Sequence, residues 1–519
     1  MVETSVFSFI LPFIISFVFG LTLFIIIRIK WGEKNQKGKI PEFRFFPYIG
    51  YVVWAWNLQN SKLVPPLCRG FMLLNAICNL FKKEGIAILW ICYRPMVFVY
   101  KAEYVKFLIN HPDLQGKAKE YDVLKSVFGG NLFTLKGDHW QKERKLLTPS
   151  FHMGILKDFV PIFDEQSSLI IDKVKSKLHE PWINIDTYVR ECLLLIICRT
   201  AMGVNFEEKE AIEKHAEAVD EMLKISVHRL FRPWTHYDFI YQFFPMGRKQ
   251  KQYTDIAVGI TDKVIKKSKD ALVTQMRNKT NFKESEYEEL NVRERKSFMG
   301  LLLDHHMLDP SFTLEDLRSE VLTFIAAGHE TGTATVAVTL MMLGLYQDVQ
   351  ETAIQEIDSI FHNDKTRPVA LEDIANMKYL ECVIKETLRL YPMAPIVARE
   401  VKENIDLGDY KLRRGTGVII NFYSLHRDPE FFPEPEKFKP ERFYLENNET
   451  RHPYAYIPFS AGNRNCIAQR YIMTVMKVFV CYFLRHFRIK ALDHRDLLNF
   501  TWEITMRNTS PIRLQLSPR

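Results

Sequence analysis

Between about residue 51 and residue 270 the apolar positions recur mainly at helical spacing, as in FVPIFDEQSSLIIDKVKSKL at 159–178. A longer helix is predicted where Thr313 and Asp316 stand at capping-box spacing ahead of an apolar run reaching Tyr346, a span of more than thirty residues. YLECVIKETLRLY predicts another helix, ended by Pro392. The period then shortens: IDLGDYKL and GTGVIINFYS read as strands separated by turns, up to about residue 425. A last helix is predicted from near Cys466 through almost unbroken apolar residues to His486. The charged, weakly periodic segment 278–298 reads as an exposed loop within a domain. The pattern as a whole predicts a mainly α protein with a smaller β portion.

The N-terminus departs from this pattern. Val6 to Ile27 is 22 residues without a charge, which as a helix is about 33 Å, enough to cross the hydrocarbon of a bilayer. Arg28, Lys30, Lys34, Lys37 and Lys39 follow it, so the positive-inside rule leaves the rest of the chain in the cytoplasm. Residues 1–30 are therefore read as a single transmembrane anchor and 31–50, with Pro41 and Pro47, as a basic hinge. The whole chain of 519 residues is 47% hydrophobic with net charge +8, and its basic residues are dispersed, which argues against a nucleic-acid partner. Seven of the eight cysteines stand apart from any metal-finger spacing, mostly in apolar runs, as expected for buried reduced thiols.

Cys466 is the exception, in the polar loop PFSAGNRNCIAQR at 458–470. P-loop and G-x-S-x-G motifs are absent, GHETG at 328–332 has Thr333 where a zinc protease needs its second histidine, and GTG at 415–417 lacks the rest of a dinucleotide fingerprint. A cysteine at a helix start is favoured as a thiolate by the helix dipole and free N–H groups. Gly462 permits a tight positive-φ turn around it, and Arg464 can reach an anionic group beside it. This combination suits a metal macrocycle that carries carboxylates.

The segment F-S-A-G-N-R-N-C-I-A, from Phe459 to Ala468, resembles the haem-binding loop of the cytochrome P-450 monooxygenases, with Asn463 where proline is frequent and Ala468 where glycine is usual. Glu386 and Arg389 match the family's E-x-x-R pair at helical spacing. Arg442, in P-E-R-F at 440–443, would complete a buried Glu-Arg-Arg network. Ala327 to Thr331, AGHET, resembles the oxygen-activating motif of a long helix. Read from the residues, Gly328 and the Thr331 hydroxyl open a polar notch there, and an acid followed by an alcohol, Glu330 and Thr331, suits proton delivery. The resemblance implies that Cys466 is the axial ligand of haem b, and that Trp140, Arg144 and Arg399 bind its propionates. Motifs running from 140 to 468 that converge on one haem imply a single catalytic domain, 51–519.

The resemblance further implies that O2 and NADPH-derived electrons are consumed and a lipophilic substrate is oxygenated. The electrons would come from NADPH-cytochrome P-450 reductase, with cytochrome b5 as a second donor, at the endoplasmic reticulum membrane. A basic face including Lys142, Lys145, Arg470 and Lys477 is the expected docking surface. The motifs look most like the animal fatty-acid omega-hydroxylase clan, whose haem-esterifying glutamate would fall at Ala327. Substrates in view are fatty acids, sterols or terpenoids, and xenobiotics. The alternative from another class is a haem-thiolate sensor or isomerase that does not activate oxygen; the Glu330-Thr331 pair favours the enzyme.

Overall fold

The computed structural model describes residues 66–91, 94–204, 209–230, 235–279, 297–444 and 450–519, together with Thr22, Ile40, Pro41 and Glu446. The anchor and hinge expected at 1–50 lie, those three N-terminal residues apart, outside the described residues, as does most of the charged segment 278–298. Among the described residues no helix is long and apolar enough to cross a membrane.

Helices dominate. In chain order the principal elements are α1 (Pro66–Leu80), β1 (Ile86–Ile91), β2 (Arg94–Val99), α2 (Ala102–Asn110), α3 (Asp122–Phe128), α4 (Gly137–Leu147), α5 (Met153–Lys175), α6 (Ile185–Thr200), α7 (Lys209–Leu230) and α8 (Pro245–Lys279). There follow α9 (Phe298–Leu308), α10 (Leu314–Leu345), α11 (Gln347–Phe361), α12 (Lys378–Leu390), β3 (Ile396–Glu400), β4 (Gly417–Asn421), α13 (Gln469–His486), β5 (Phe487–Ala491), β6 (Phe500–Glu503), β7 (Thr505–Asn508) and β8 (Arg513–Pro518).

Helix α10 runs through the centre, and its sequence explains both its start and its place. Thr313 Oγ1 accepts the Asp316 N–H while Asp316 Oδ2 accepts the Thr313 N–H, the reciprocal box expected from the sequence. From Leu317 to Gly344 nearly every side is buried, so apolar residues occur all round rather than in one stripe. Two glycines bring neighbours close. A Cβ on Gly328 would stand 2.8 Å from Ile197 Cδ1 of α6, and one on Gly332 2.8 Å from both Leu193 Cδ1 of α6 and Ile472 Cδ1 of α13. Gly328 and Gly332 are thus close-packing positions, where an added side chain would displace the tips of Ile197, Leu193 or Ile472.

Strands β1, β2, β4 and β3 form one sheet in that spatial order, with β2 and β4 parallel and the other pairs antiparallel. The helical reading of 51–270 misses β1 and β2. Their buried runs Ile86–Leu89 and Met96–Val99 are continuously apolar, so the period-2 signal of a half-exposed strand is absent. At the C-terminus β8 pairs antiparallel with β5, and β6 with β7.

Candidate functional site

The Cys466 loop is closed by its own backbone: the Cys466 N–H donates to the Phe459 carbonyl at 2.9 Å, and Gly462 turns between them at φ +67°. A Cβ on Gly462 would meet Ile109 Cγ2 at 3.0 Å, so the position needs glycine for space as well as for conformation. Helix α13 begins at Gln469, three residues after Cys466, in keeping with the expected start near that cysteine. The Cys466 side chain is reachable by solvent, while the atoms packed around its sulfur push the thiol up, opposed by the Ala468 N–H and by Arg144. Coordination to a metal ion requires the deprotonated sulfur.

Beside this loop the chain gathers positive charge. Arg464 lies with its guanidinium carbon 3.9 Å from the centre of the Trp140 ring, and its Nε and Nη1 are enclosed without a partner. Arg399, on β3, is buried and donates to the Ala398 carbonyl. Lys117, pinned to Arg399 by a backbone bridge, is also buried, with its ammonium over the Tyr121 and Phe133 rings. Burial, then Arg399 and Arg464, hold Lys117 well below the usual lysine range. Burial, then Arg399 and Arg144, bring Arg464 down to about 9. Among the described residues no acidic side chain pairs with any of Lys117, Arg144, Arg399 or Arg464. Enclosing several like charges without a counter-ion is unfavourable, and a ligand carrying two carboxylates would reverse that cost. The residues present therefore fit a haem with its propionates among Arg464, Arg399 and Lys117. Lys117 is absent from the sequence reading because nothing in QGKAKEY distinguishes it from a surface lysine.

Arg144 has partners in the loop itself. Its Nη1 and Nη2 donate to the backbone and side-chain oxygens of Asn465 at 2.8 and 2.7 Å, so it braces the residue before Cys466. On α10, Ala327 is exposed and Thr331 half-buried one turn later, with the Thr331 hydroxyl donating to the Ala327 carbonyl at 3.0 Å. Glu330 is not brought to that face. It is buried among His329, Arg190 of α6 and Arg507 of β7, with Asp220 of α7 bridging the two arginines. Burial would raise its carboxyl, but His329 and Arg507 hold it well below the usual range, while burial and Glu330 push Asp220 up.

Glu386 and Arg389 are both fully buried and joined by two bonds, Nε to Oε2 at 2.7 Å and Nη2 to Oε1 at 2.9 Å. Arg442 Nε approaches Glu386 Oε1 at 3.4 Å, and the Lys439 N–H donates to the same oxygen. Arg389 also donates to the carbonyls of His426 and Lys437, tying α12 to the segment before the Cys466 loop.

A thiol in a closed loop, unpaired cations beside it and this buried network converge with the outcome of comparison: the sequence matches the Cytochrome P450 family over residues 54–516. The chain is a cytochrome P450. It is 36% identical over 435 residues to Cytochrome P450 4V2 of Homo sapiens, covering 83% of this chain and 82% of that relative. It is 32% identical over 518 residues to Cytochrome P450 4c3 of Drosophila melanogaster (98% and 95%), and 34% over 505 residues to Cytochrome P450 4c21 of Blattella germanica (96% and 98%). As a cytochrome P450 it is a monooxygenase that uses haem, O2, a lipophilic substrate and electrons from a reductase partner. Of the basic residues expected on this cytochrome P450's docking face, Lys142, Lys145 and Arg470 are exposed. Lys477 is not available: it is buried, paired with Glu381 and donating to the Ile374 carbonyl. A groove of about 660 Å³ lies behind the loop, lined by Phe459, Ser460, Gln469, Arg470 and Lys385 among others.

Proposed function

We propose that this cytochrome P450 inserts one oxygen atom of O2 into a lipid of the fatty-acid, sterol or terpenoid class, or a xenobiotic of similar polarity. The observation that carries the reading is the set of enclosed, unpaired cations beside Cys466, which fits a propionate-bearing haem b. Bound there, haem supplies dioxygen activation. Cys466 would hold its iron through the sulfur; Arg464, Arg399 and Lys117, with Trp140 beside Arg464, would hold the propionates. Arg144 braces the loop through Asn465, with Phe459 and Gly462 shaping it. Thr331 offers a hydroxyl on the exposed face of α10, and Glu330 supplies protons from the buried cluster behind it. Glu386, Arg389 and Arg442 are structural.

Residues 51–519 act as one catalytic domain, carried by an anchor at 1–30 and a hinge at 31–50. The protein sits as a single-pass protein of the endoplasmic reticulum, with that domain in the cytoplasm. NADPH-cytochrome P-450 reductase, with cytochrome b5 as a second donor, docks near Lys142, Lys145 and Arg470. Ala327, in place of the clan's esterifying glutamate, gives the haem no ester bond to α10, which removes one ground for expecting strictly terminal oxygenation. The ferrous carbon monoxide complex should show the red-shifted Soret band of thiolate ligation, and Cys466→Ala should lose it. With reductase and a lipid library, NADPH should be consumed with oxygenated product. Consumption without oxygenated product, or a Thr331→Ala variant with undiminished coupling, would count against the assignment.

A further inference from the structure

Behind the Cys466 loop one completely buried ring, His426, joins two sets of hydrogen bonds. Its Nε2 accepts the Ile457 N–H at 3.0 Å, and its backbone carbonyl accepts from Arg389 Nη1 at 3.0 Å. The ring stacks on Phe422 with 11° between the planes, and Tyr456, whose hydroxyl donates to the Lys385 carbonyl, is its other aromatic neighbour. A backbone N–H only donates, so Nε2 is a bare lone pair and the hydrogen of the neutral ring sits on Nδ1. The surroundings keep it neutral: burial, then Arg389 and Arg427, hold the ring well below the usual histidine range, against the smaller pull of the Arg389 and Leu388 carbonyls.

The bond to Ile457 fixes a turn of uncommon backbone. While the Ile457 N–H goes to the ring, its carbonyl accepts the Ser460 N–H at 2.9 Å. Ser460, which closes the turn, lies in the left-handed region at φ +60° although it has a side chain. A residue with a Cβ stays there only where its surroundings over-determine it. Phe459, inside the turn, presents its carbonyl to the Cys466 N–H at 2.9 Å. Ring and cysteine are thus linked through His426 to Ile457, Ile457 to Ser460 and Phe459 to Cys466. Through its carbonyl His426 is also tied to Arg389 and so to Glu386, while Arg144 holds the far side of the loop at Asn465.

We infer that His426 is a positioning residue for the Cys466 sulfur: its Nε2 lone pair sets the 457–460 turn from which the Phe459 carbonyl holds the Cys466 N–H. The inference rests on the reading that Cys466 binds the haem iron. Two substitutions separate the bond from the packing. His426→Phe keeps a flat ring beside Phe422 and Tyr456 but removes the acceptor. His426→Gln gives up the ring but returns an acceptor near the Nε2 position.

The readout is the ferrous carbon monoxide complex of the full-length holoenzyme, followed as the red-shifted thiolate band gives way to that of an iron without thiolate. His426→Phe should shorten the half-life of the thiolate band by about tenfold, as expected when one buried donor loses its partner. His426→Gln should recover most of that loss, even though it gives up the stacking on Phe422. Half-lives that follow the urea midpoints of the variants, with no recovery in His426→Gln, would overturn the positioning role, as would a native half-life in His426→Phe. The native enzyme supplies a test that needs no variant. With 15N-labelled histidine in the diamagnetic ferrous carbonyl form, His426 should be singly protonated at neutral pH, at Nδ1, and a ring protonated at Nε2 would overturn the inference. A native carbonyl complex without the thiolate band would instead overturn the reading of Cys466 as the iron's ligand, on which the nitrogen spectrum does not depend.

Discussion

Arg389→Met tests the Glu386 network most sharply. Both residues are inaccessible to solvent, and the substitution removes two bonds of 2.7 and 2.9 Å, leaving a carboxylate in the interior. Breaking one side of such a pair costs about 3–5 kcal/mol. Glu386 would keep the Lys439 N–H at 2.8 Å and the Arg442 guanidinium at 3.4 Å, which favours the low end, about 3 kcal/mol. At 1.4 kcal/mol per decade this amounts to about 100-fold in the folded-to-unfolded ratio. Because chains of this size often unfold irreversibly, the assay is twofold: the urea midpoint, and the half-life of the thiolate-type carbon monoxide band at a fixed temperature. The double variant Glu386→Leu, Arg389→Met removes both charges and should recover a substantial part of the loss. It will not recover all of it, since the bonds to the His426 and Lys437 carbonyls are gone in both. A loss below about 1 kcal/mol for the single variant, or a double variant less stable than the single, would refute the desolvated-charge argument.

Arg464→Met should change sign with the state of the enzyme: it relieves repulsion from Arg399 and Arg144, so it raises the melting temperature of haem-free protein, yet it speeds haem loss from the loaded enzyme. A shift in the same direction in both states would contradict the propionate assignment. Glu143, on α4, is raised to about 7, by burial first and then by Asp316 and Asp309. Its folded form therefore binds a proton more tightly than its unfolded form, and stability falls as pH rises from about 4.5 to about 7. Glu143→Gln should remove that fall, gaining over the native protein at pH 8 and not at pH 4, as read from denaturation midpoints. Gly462→Ala should cost about 2 kcal/mol, the upper part of the range for forcing a side chain into the left-handed region, because Ile109 also stands in its way. Gly408→Ala, at φ +82° with nothing within 4 Å, isolates the backbone part and should cost less.

The chain's sequence alone determined the features whose causes are local. A capping box needs only Thr313 and Asp316, a helix stop only Pro392, and α12 and α13 only their apolar periodicity. The E-x-x-R spacing brings Glu386 and Arg389 together because three residues are nearly one helical turn. The Cys466 loop was legible for the same reason: its glycine, arginine and cysteine are neighbours in the chain. What the tertiary structure decided depends on residues far apart in sequence. Strands β1 and β2 escaped notice because burial on both faces erases alternation. Lys117 joins Arg399 and Arg464 only because a bridge to β3 carries it there, and Lys477 leaves the surface because α13 is buried on nearly every side. Glu330 and Thr331 are adjacent in the sequence, but consecutive helical residues point about 100° apart. The fold uses that angle to turn the hydroxyl to the exposed face and the carboxylate inward, where α6, α7 and β7 supply the charges that hold it.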